Sequence, residues 1–374
     1  MSRARATIDL GAIAHNTALL AALVAPAELC AVVKADGYGH GAVPVAQTAL
    51  AAGARRLAVA QPAEAARLRQ AGLDAPILLL SEPLPEELDE AVALDLDLTV
   101  YTAEVIGALA GAARRAGRPV RAHLKVDTGM HRVGAAPADA VALAAALERA
   151  AQVELAGVCT HCAVADEPSH PFTGVQLARF AEVIAALRAA GLDPPLLHAA
   201  NSALALTRPE ARFDLVRCGI ALYGIDPSPE LAGVAPLRRA LTLSSVVTMV
   251  KRVPAGEAVS YGLRRRLETA EVIATAPIGY ADGVPRRLFA ARADALIGGR
   301  RRRFAGVVTM DQLMLACGDD APALGDEVVL LGPQGEEEIT AAEWAQRLGT
   351  IPYEIVCGIG PRVERAYVGP PAQR

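Results

Sequence analysis

The chain predicts an α/β fold: a (β/α)8 TIM-type barrel followed by a mostly β C-terminal domain. Three observations carry this. From Cys30 to Gly219, short apolar runs alternate with longer Ala/Leu/Arg/Glu stretches whose apolar residues recur at helical spacing. Eight such units fit within roughly 200 residues, which suits a closed barrel better than an open doubly wound sheet. After Tyr223 the texture changes: Asp226-Pro227-Ser228-Pro229 reads as a connector, and glycine-punctuated short strands take over.

In chain order, apolar content and bounding turns predict barrel strands at 30–33, 57–60, 77–80, 98–100, 122–126, 155–160, 196–199 and 215–218. Segments such as 64–71 and 175–190 supply the helices between them. Beyond the connector, strands are expected at 241–250, 271–276, 303–308, 313–316 and 327–331, with one helix at 341–348. The expected domains are 11–232 and 233–374, with residues 1–10 adding a strand to the second.

At 374 residues the chain can bury two cores, and a net charge of -4 favours neither nucleic acid nor an anionic membrane. The runs Arg264-Arg265-Arg266 and Arg300-Arg301-Arg302-Arg303 lie beside turns with few aromatics, which reads as a solvated face or subunit contact. The cysteines are Cys30, Cys159, Cys162, Cys218, Cys317 and Cys357. Only Cys159 and Cys162 are close, and no second pair completes a zinc site, so buried free thiols and no metal are expected. Residues 1–7 are polar and basic with no apolar signal segment behind them, and no run is long enough for a membrane span. The expected compartment is the reducing cytoplasm.

The segment Ala31-Val32-Val33-Lys34-Ala35-Asp36-Gly37-Tyr38-Gly39-His40-Gly41 is the most informative. It sets a lysine at the end of a buried strand, with glycines that turn the chain away behind it. Desolvation there lowers an ammonium's pKa, making a usable base or nucleophile of the kind that holds pyridoxal phosphate (PLP) as a Schiff base. For an arbitrary lysine, snorkelling at a strand end is the commoner role. Other polar residues, however, fall at the same place in their units. Lys125 ends the fifth strand, His161 follows the sixth, Asn201 and Ser202 follow the seventh, and Arg217 ends the eighth. Barrel enzymes carry their chemistry at the carboxyl ends of the strands, so five coincidences favour one shared site.

With these residues in place, the chain resembles the alanine racemases, PLP enzymes built from an eight-stranded barrel and a C-terminal β domain. The resemblance runs end to end. It covers Ile8-Asp9-Leu10-Gly11-Ala12-Ile13-Ala14-His15-Asn16, the Lys34 segment, Lys125-Val126-Asp127-Thr128-Gly129-Met130 and His198-Ala199-Ala200-Asn201-Ser202. It continues through Arg217-Cys218-Gly219-Ile220-Ala221-Leu222-Tyr223-Gly224, Ser260-Tyr261-Gly262, Pro277-Ile278-Gly279-Tyr280-Ala281-Asp282-Gly283 and Met310-Asp311-Gln312.

The resemblance implies roles. Lys34 would attach the cofactor and exchange the α-proton on one face, and Tyr261 of the partner subunit would do so on the other. An ordinary tyrosine, with a pKa of about 10, is a poor base near neutrality. His161 backed by Arg217 is therefore implied as its relay. Arg217 would face the pyridine nitrogen, giving a weaker electron sink than a carboxylate partner and fewer side reactions. Tyr38, Asn201, Ser202, Gly219, Ile220 and Tyr223 would hold the cofactor, chiefly its phosphate. Arg132 would lie near the cofactor's phenolic oxygen and the substrate carboxylate, Met310 would offer that carboxylate its backbone N–H, and Asp311 would orient the loop or Tyr261. Lys125 matches a position carbamylated in many members, with an unmodified lysine or a bound chloride left open. The implied assembly is a homodimer whose active sites combine the barrel of one subunit with the β domain of the other. The implied biological role is supplying D-alanine for cell-wall peptidoglycan.

Taken singly, His161 reads as structural, Asp311 as a turn carboxylate, Met310 as core filler and Tyr261 as a strand aromatic; their roles rest on the resemblance. His40 and His131 carry no argued role. One departure stands out: many members have an entrance tyrosine where this chain has Pro361. That opens the alternative of a broader racemase acting also on serine. Basic amino-acid decarboxylases of similar architecture are opposed by Arg217 and the Tyr261 segment. A noncatalytic PLP-binding protein is opposed by the second domain, since such proteins are single barrels.

Overall fold

Burial alternates along Ala4–Asp9, as it does in a strand with one covered face, and this segment forms β1. Helix α1 (Leu10–Val24) follows. In the computed structural model, which describes residues 3–369, the next eight strands are all parallel. They are β2 (Glu28–Val32), β3 (Arg56–Val59), β4 (Ile77–Leu79), β5 (Leu96–Val100), β6 (Val120–Lys125), β7 (Val153–Cys159), β8 (Leu196–His198) and β9 (Leu215–Cys218). Their side chains are mostly buried on both faces, which is why they read as continuous apolar runs.

The sheet runs β8-β7-β6-β5-β4-β3-β2-β9. It closes at the β8–β9 seam, where Asp214 N–H donates to Leu197 O at 3.0 Å and Arg217 N–H to Ala200 O at 3.0 Å. Helices α2 (Ala42–Ala51), α3 (Pro62–Gln70), α4 (Leu88–Ala93), α5 (Ala103–Ala116), α6 (Ala140–Arg149), α7 (Phe172–Ala189) and α8 (Ser202–Thr207) connect the strands. Helix α5 shows the local logic: Thr102 caps its first turn by accepting from Val105 N–H, and Gly117 ends it in the left-handed conformation.

The second unit is built on β1 and on later strands. The expected 241–250 strand breaks into β10 (Leu241–Val246) and β11 (Met249–Val253), which join different sheets. Short β12 (Ala258–Val259) and β13 (Arg265–Arg266) pair with each other, and β14 (Glu271–Ala276) follows. The expected 303–308 strand is replaced by a hairpin of β15 (Asp294–Ile297) and β16 (Arg300–Arg303). Four arginines suit this sheet edge, where charge discourages pairing with another chain; Arg301 pairs with Glu337 and Glu343, and Arg303 with Asp294. Then come β17 (Leu313–Ala316), β18 (Glu327–Gln334), β19 (Glu337–Ile339), helices α9 (Ala341–Leu348) and α10 (Pro352–Cys357), and β20 (Glu364–Val368).

The larger sheet is ordered β16-β15-β18-β10-β1-β20, with β19 on β18; a smaller sheet is β11-β14-β17. Trp344, Phe304 and Ile8 lie in the core of this unit. The division takes residues 3–12, 38–41 and 239–369 into the β unit and leaves 13–37 and 42–238 in the barrel unit. The expected boundary at 232/233 thus falls six residues later, and the short loop 38–41 is an added exchange. Residues 1, 2 and 370–374 of the expected second domain lie outside the described residues.

Candidate active site

At the carboxyl end of β2 the backbone takes an uncommon course. Ala35, Asp36 and Gly37 have φ of 51°, 51° and 62°, a left-handed turn that costs non-glycine residues about 1–2 kcal/mol each. Three bonds hold it: Gly37 N–H donates to Val33 O at 2.8 Å, Ala42 N–H to Asp36 Oδ1 at 3.0 Å, and Ala35 N–H to Glu64 Oε1 at 2.6 Å. Lys34, half-buried, stands at the start of this turn. Behind it, the buried Tyr223 hydroxyl donates to Val32 O at 2.9 Å.

Arg217, buried at the end of β9, is the hub of the barrel mouth. Its Nη1 donates to His198 Nδ1 at 2.7 Å. Its Nη2 shares hydrogens among Thr160 O at 2.9 Å, Ala199 O at 3.1 Å and His161 Nδ1 at 3.3 Å. A guanidinium only donates, so both histidines present lone pairs at Nδ1 and carry their protons on Nε2. Burial first, then the Arg217 charge, holds both imidazoles well below the ordinary histidine pKa, so both are neutral. His161 is left able to donate from Nε2 and unable to accept there.

Lys125 ends β6 half-buried, and burial followed by the charges of Arg217, Arg132 and Lys34 lowers its pKa against the opposing pull of Cys159. The charges acting most strongly on His161 are those of Arg217, Lys125, Arg132 and Lys34, all cationic. Arg132 is exposed, on a loop pinned by Asp127, whose Oδ1 accepts from the N–H groups of Gly129, Met130 and His131 at 2.9–3.1 Å. Neighbouring Cys162 is no nucleophile, since burial pushes its thiol up to about 11.

On the β8–β9 side, Asn201 caps α8 by accepting from Leu204 N–H at 3.1 Å. Ser202 Oγ accepts Gly219 N–H at 2.9 Å, and Ile220 opens the turn that ends at Tyr223. The mouth thus brings together Lys34, Lys125, Arg132, His161 and Arg217 with the hydroxyl and backbone groups of 201–202 and 219–220. This donor-rich, cationic set fits an anionic ligand carrying phosphate and carboxylate groups.

The remaining expected site residues belong to the β unit. Tyr38 is buried, in the left-handed region at φ 52°, with its ring 6.1 Å from that of Tyr353. Tyr261 is 73% exposed and Met310 53% exposed. Asp311 is held by Arg362 at 2.8 Å, and Arg362 also pairs with Asp282 at 3.3 Å. Asp282 in turn accepts Gly279 N–H, next to Tyr280 and Ala281, whose N–H groups donate to Thr309 O and Met310 O. Arg362, Glu64 and a role for His198 were not anticipated. A histidine inside a buried strand was the available signal for His198.

Among the described residues no His, Cys, Asp and Glu cluster is arranged to hold a metal, and no helix is long and apolar enough to cross a membrane. The family described as alanine racemase, N-terminal domain, matches residues 8–227, and its C-terminal domain counterpart matches 240–367. An alanine racemase of Thermobifida fusca is 50% identical over 371 residues, covering 98% of this chain and 99% of the relative. The solved alanine racemase from D-cycloserine-producing Streptomyces lavendulae is 44% identical with a TM-score of 0.94, over 99% of this chain and 98% of that one. That from Bartonella henselae, solved with covalently bound pyridoxal phosphate, is 30% identical with a TM-score of 0.88, over 98% and 99% of the two chains. With both domains matched in order and half the residues shared with a full-length relative, the chain belongs to the alanine racemase family.

Proposed function

We propose that this enzyme interconverts L- and D-alanine, using PLP and two opposed bases, Lys34 and Tyr261. The observation that carries the cofactor reading is the set of cations on the barrel mouth, with Lys34 on a turn held out of ordinary backbone geometry. Tyr38, Asn201, Ser202, Gly219, Ile220 and Tyr223 would hold the cofactor, and Lys34 would attach it. When bound, PLP supplies an electron sink for the carbanion left by α-proton removal.

Racemisation needs reprotonation from the face opposite to deprotonation, which one base cannot give. Lys34 serves one face. Tyr261, from the partner subunit of a homodimer, serves the other, and its exposure within a single chain supports that assignment. His161 Nε2–H is the donor that would steady the tyrosine oxygen in its charged form. Arg217 cannot accept a proton from the ring nitrogen, so it limits charge delocalisation and the side reactions that follow from it. Arg132 and the Met310 N–H would bind the substrate carboxylate, with Asp311, fixed by Arg362, orienting that loop. Lys125 is the site we propose for carbamylation, giving an anion beside Arg132. We place the enzyme in the cytoplasm, on the strength of six free thiols, supplying D-alanine to peptidoglycan.

The test is the chiral fate of L-alanine and L-serine with purified, PLP-loaded protein in deuterated solvent. Alanine should reach a nearly equal D/L mixture with α-deuterium incorporated, while serine lags. Comparable rates on both would favour the second reading, a broader racemase, for which exposed Pro361 in place of an entrance tyrosine is the specific observation. Cofactor absorbance without exchange on either would sink the racemase reading.

A further inference from the structure

The hydrogen-bond chain that starts at Arg217 does not stop at His198. His198 Nε2 lies 2.9 Å from His123 Nδ1, and both rings are fully buried. His123 Nε2 faces Asp97 Oδ2 at 3.9 Å, beyond hydrogen-bond range, and has no hydrogen-bond partner among the described residues. Asp97, 1% exposed, is neutralised by Arg121 at 2.5 Å and Arg56 at 2.7 Å. The polarity agrees from both ends. Arg217 requires a lone pair at His198 Nδ1, which puts a hydrogen on His198 Nε2 and a lone pair on His123 Nδ1. Asp97 favours N–H over a lone pair at His123 Nε2, which is the same tautomer. Protonating either ring would set two N–H groups face to face.

Two backbone features make room for this. The β6–β7 register shifts between Ala122 and His123, an irregularity of the kind that re-aims a side chain. Opposite it sits Gly157, where an added Cβ would collide with the His123 ring. A polar ring inside a barrel core is costly unless it is bonded. Here the fold bends one strand and omits a side chain from the next to admit it.

We infer that His123 is a positioning residue of the racemase site, fixing the tautomer and orientation of His198 and, through it, the guanidinium of Arg217. This rests on the racemase reading for its consequence, but its geometry belongs to the barrel alone.

The experiment is long-range ¹H–¹⁵N imidazole correlation on cofactor-free protein labelled at its seven histidines, assigned with His123→Asn and His198→Asn. Each ring should carry its proton on Nε2 and leave Nδ1 as an acceptor. A proton on Nδ1 of either, or an imidazolium, would overturn the inference. Kinetically, His123→Leu should lower kcat about 10- to 100-fold with little change in KM, as loss of an outer orienting partner typically does. His123→Asn, whose amide oxygen can accept from His198, should recover most of that. Wild-type kcat in His123→Leu, or no recovery in folded His123→Asn, would also overturn it. Should His123→Leu not fold, the wild-type spectrum decides alone. Wild-type protein that binds PLP without racemising alanine would fail the racemase reading while leaving the spectrum to decide the positioning role.

Discussion

Glu64 Oε1 accepts the backbone N–H of Ala35 at 2.6 Å, one residue beyond Lys34, while its Oε2 accepts Ala60 N–H at 2.8 Å. One carboxylate from α3 therefore holds the left-handed turn after β2 and the loop after β3 together. Glu64→Gln retains one accepting oxygen and turns an NH₂ toward the other donor. We expect it to destabilise the protein by about 0.5–1.5 kcal/mol, the net worth of one hydrogen bond whose donor water can still reach, and to slow cofactor attachment at Lys34. Thermal unfolding and the growth of cofactor absorbance report the two effects; no change in either would mean the turn holds itself.

Tyr261→Phe separates the two proposed bases. Cofactor absorbance should match wild type, because Lys34 makes the attachment. Racemisation should fall about 10²- to 10⁴-fold, the usual contribution of a positioned acid–base group. Deuterium exchange into one enantiomer should persist through Lys34. Equal loss of exchange from both enantiomers would remove Tyr261 from its assigned face.

The neutral histidines give stability a defined pH dependence. His161 and His198 are held below their unfolded value of about 6.5, so the unfolded chain binds more protons below that pH. Their contribution is fully present above about 6.5 and is lost as pH falls, by up to about 1.4 kcal/mol per unit for each. Urea unfolding of cofactor-free protein between pH 5 and pH 7.5 should show this slope, on the order of half of it remaining in His161→Gln. A flat profile would mean the folded rings take up protons as readily as the unfolded ones.

Lys125 provides a chemical test. Burial lowers its pKa, leaving more free amine to attack carbon dioxide, form an N–C bond and release a proton. Protein equilibrated with ¹³C-bicarbonate should show a carbamate carbon signal that Lys125→Met lacks. Signal absent from wild type at saturating bicarbonate would leave an unmodified lysine at this position.

The barrel was legible because its strands are covered on both faces and so read as plain apolar runs; every predicted edge lies within two residues of the strand found. The β unit was less so. Its two-residue strands carry no period, Arg300–Arg303 contradicts strand propensity, and β20 (Glu364–Val368) is half charged or polar at its start. The rule that barrel chemistry sits at strand ends picked out Lys34, Lys125, His161 and Arg217, and the same rule hid His123 and Asp97, which lie within strands. Tyr261, Met310 and Asp311 have no spacing signal at all; only motif resemblance marks them. Glu64 has a local role at the start of its helix, but its bond to Ala35 N–H, like the ion pairs of Arg362, joins residues distant in sequence, which no local pattern encodes.

Strand β1 has its neighbours far along the chain: Ala4 pairs with Ser245 of β10, and Arg5 with Glu364 of β20. During synthesis at roughly 5–20 residues per second, this earliest-made of the described strands waits on the order of tens of seconds for its partners. A nascent chain can complete every barrel strand on the ribosome while β1 still lacks both neighbours. Its alternating pattern, with exposed Arg5 interrupting the apolar positions, suits a segment that must stay unpaired without sticking to other chains. The larger sheet of the β unit can therefore be finished only after translation has passed Val368.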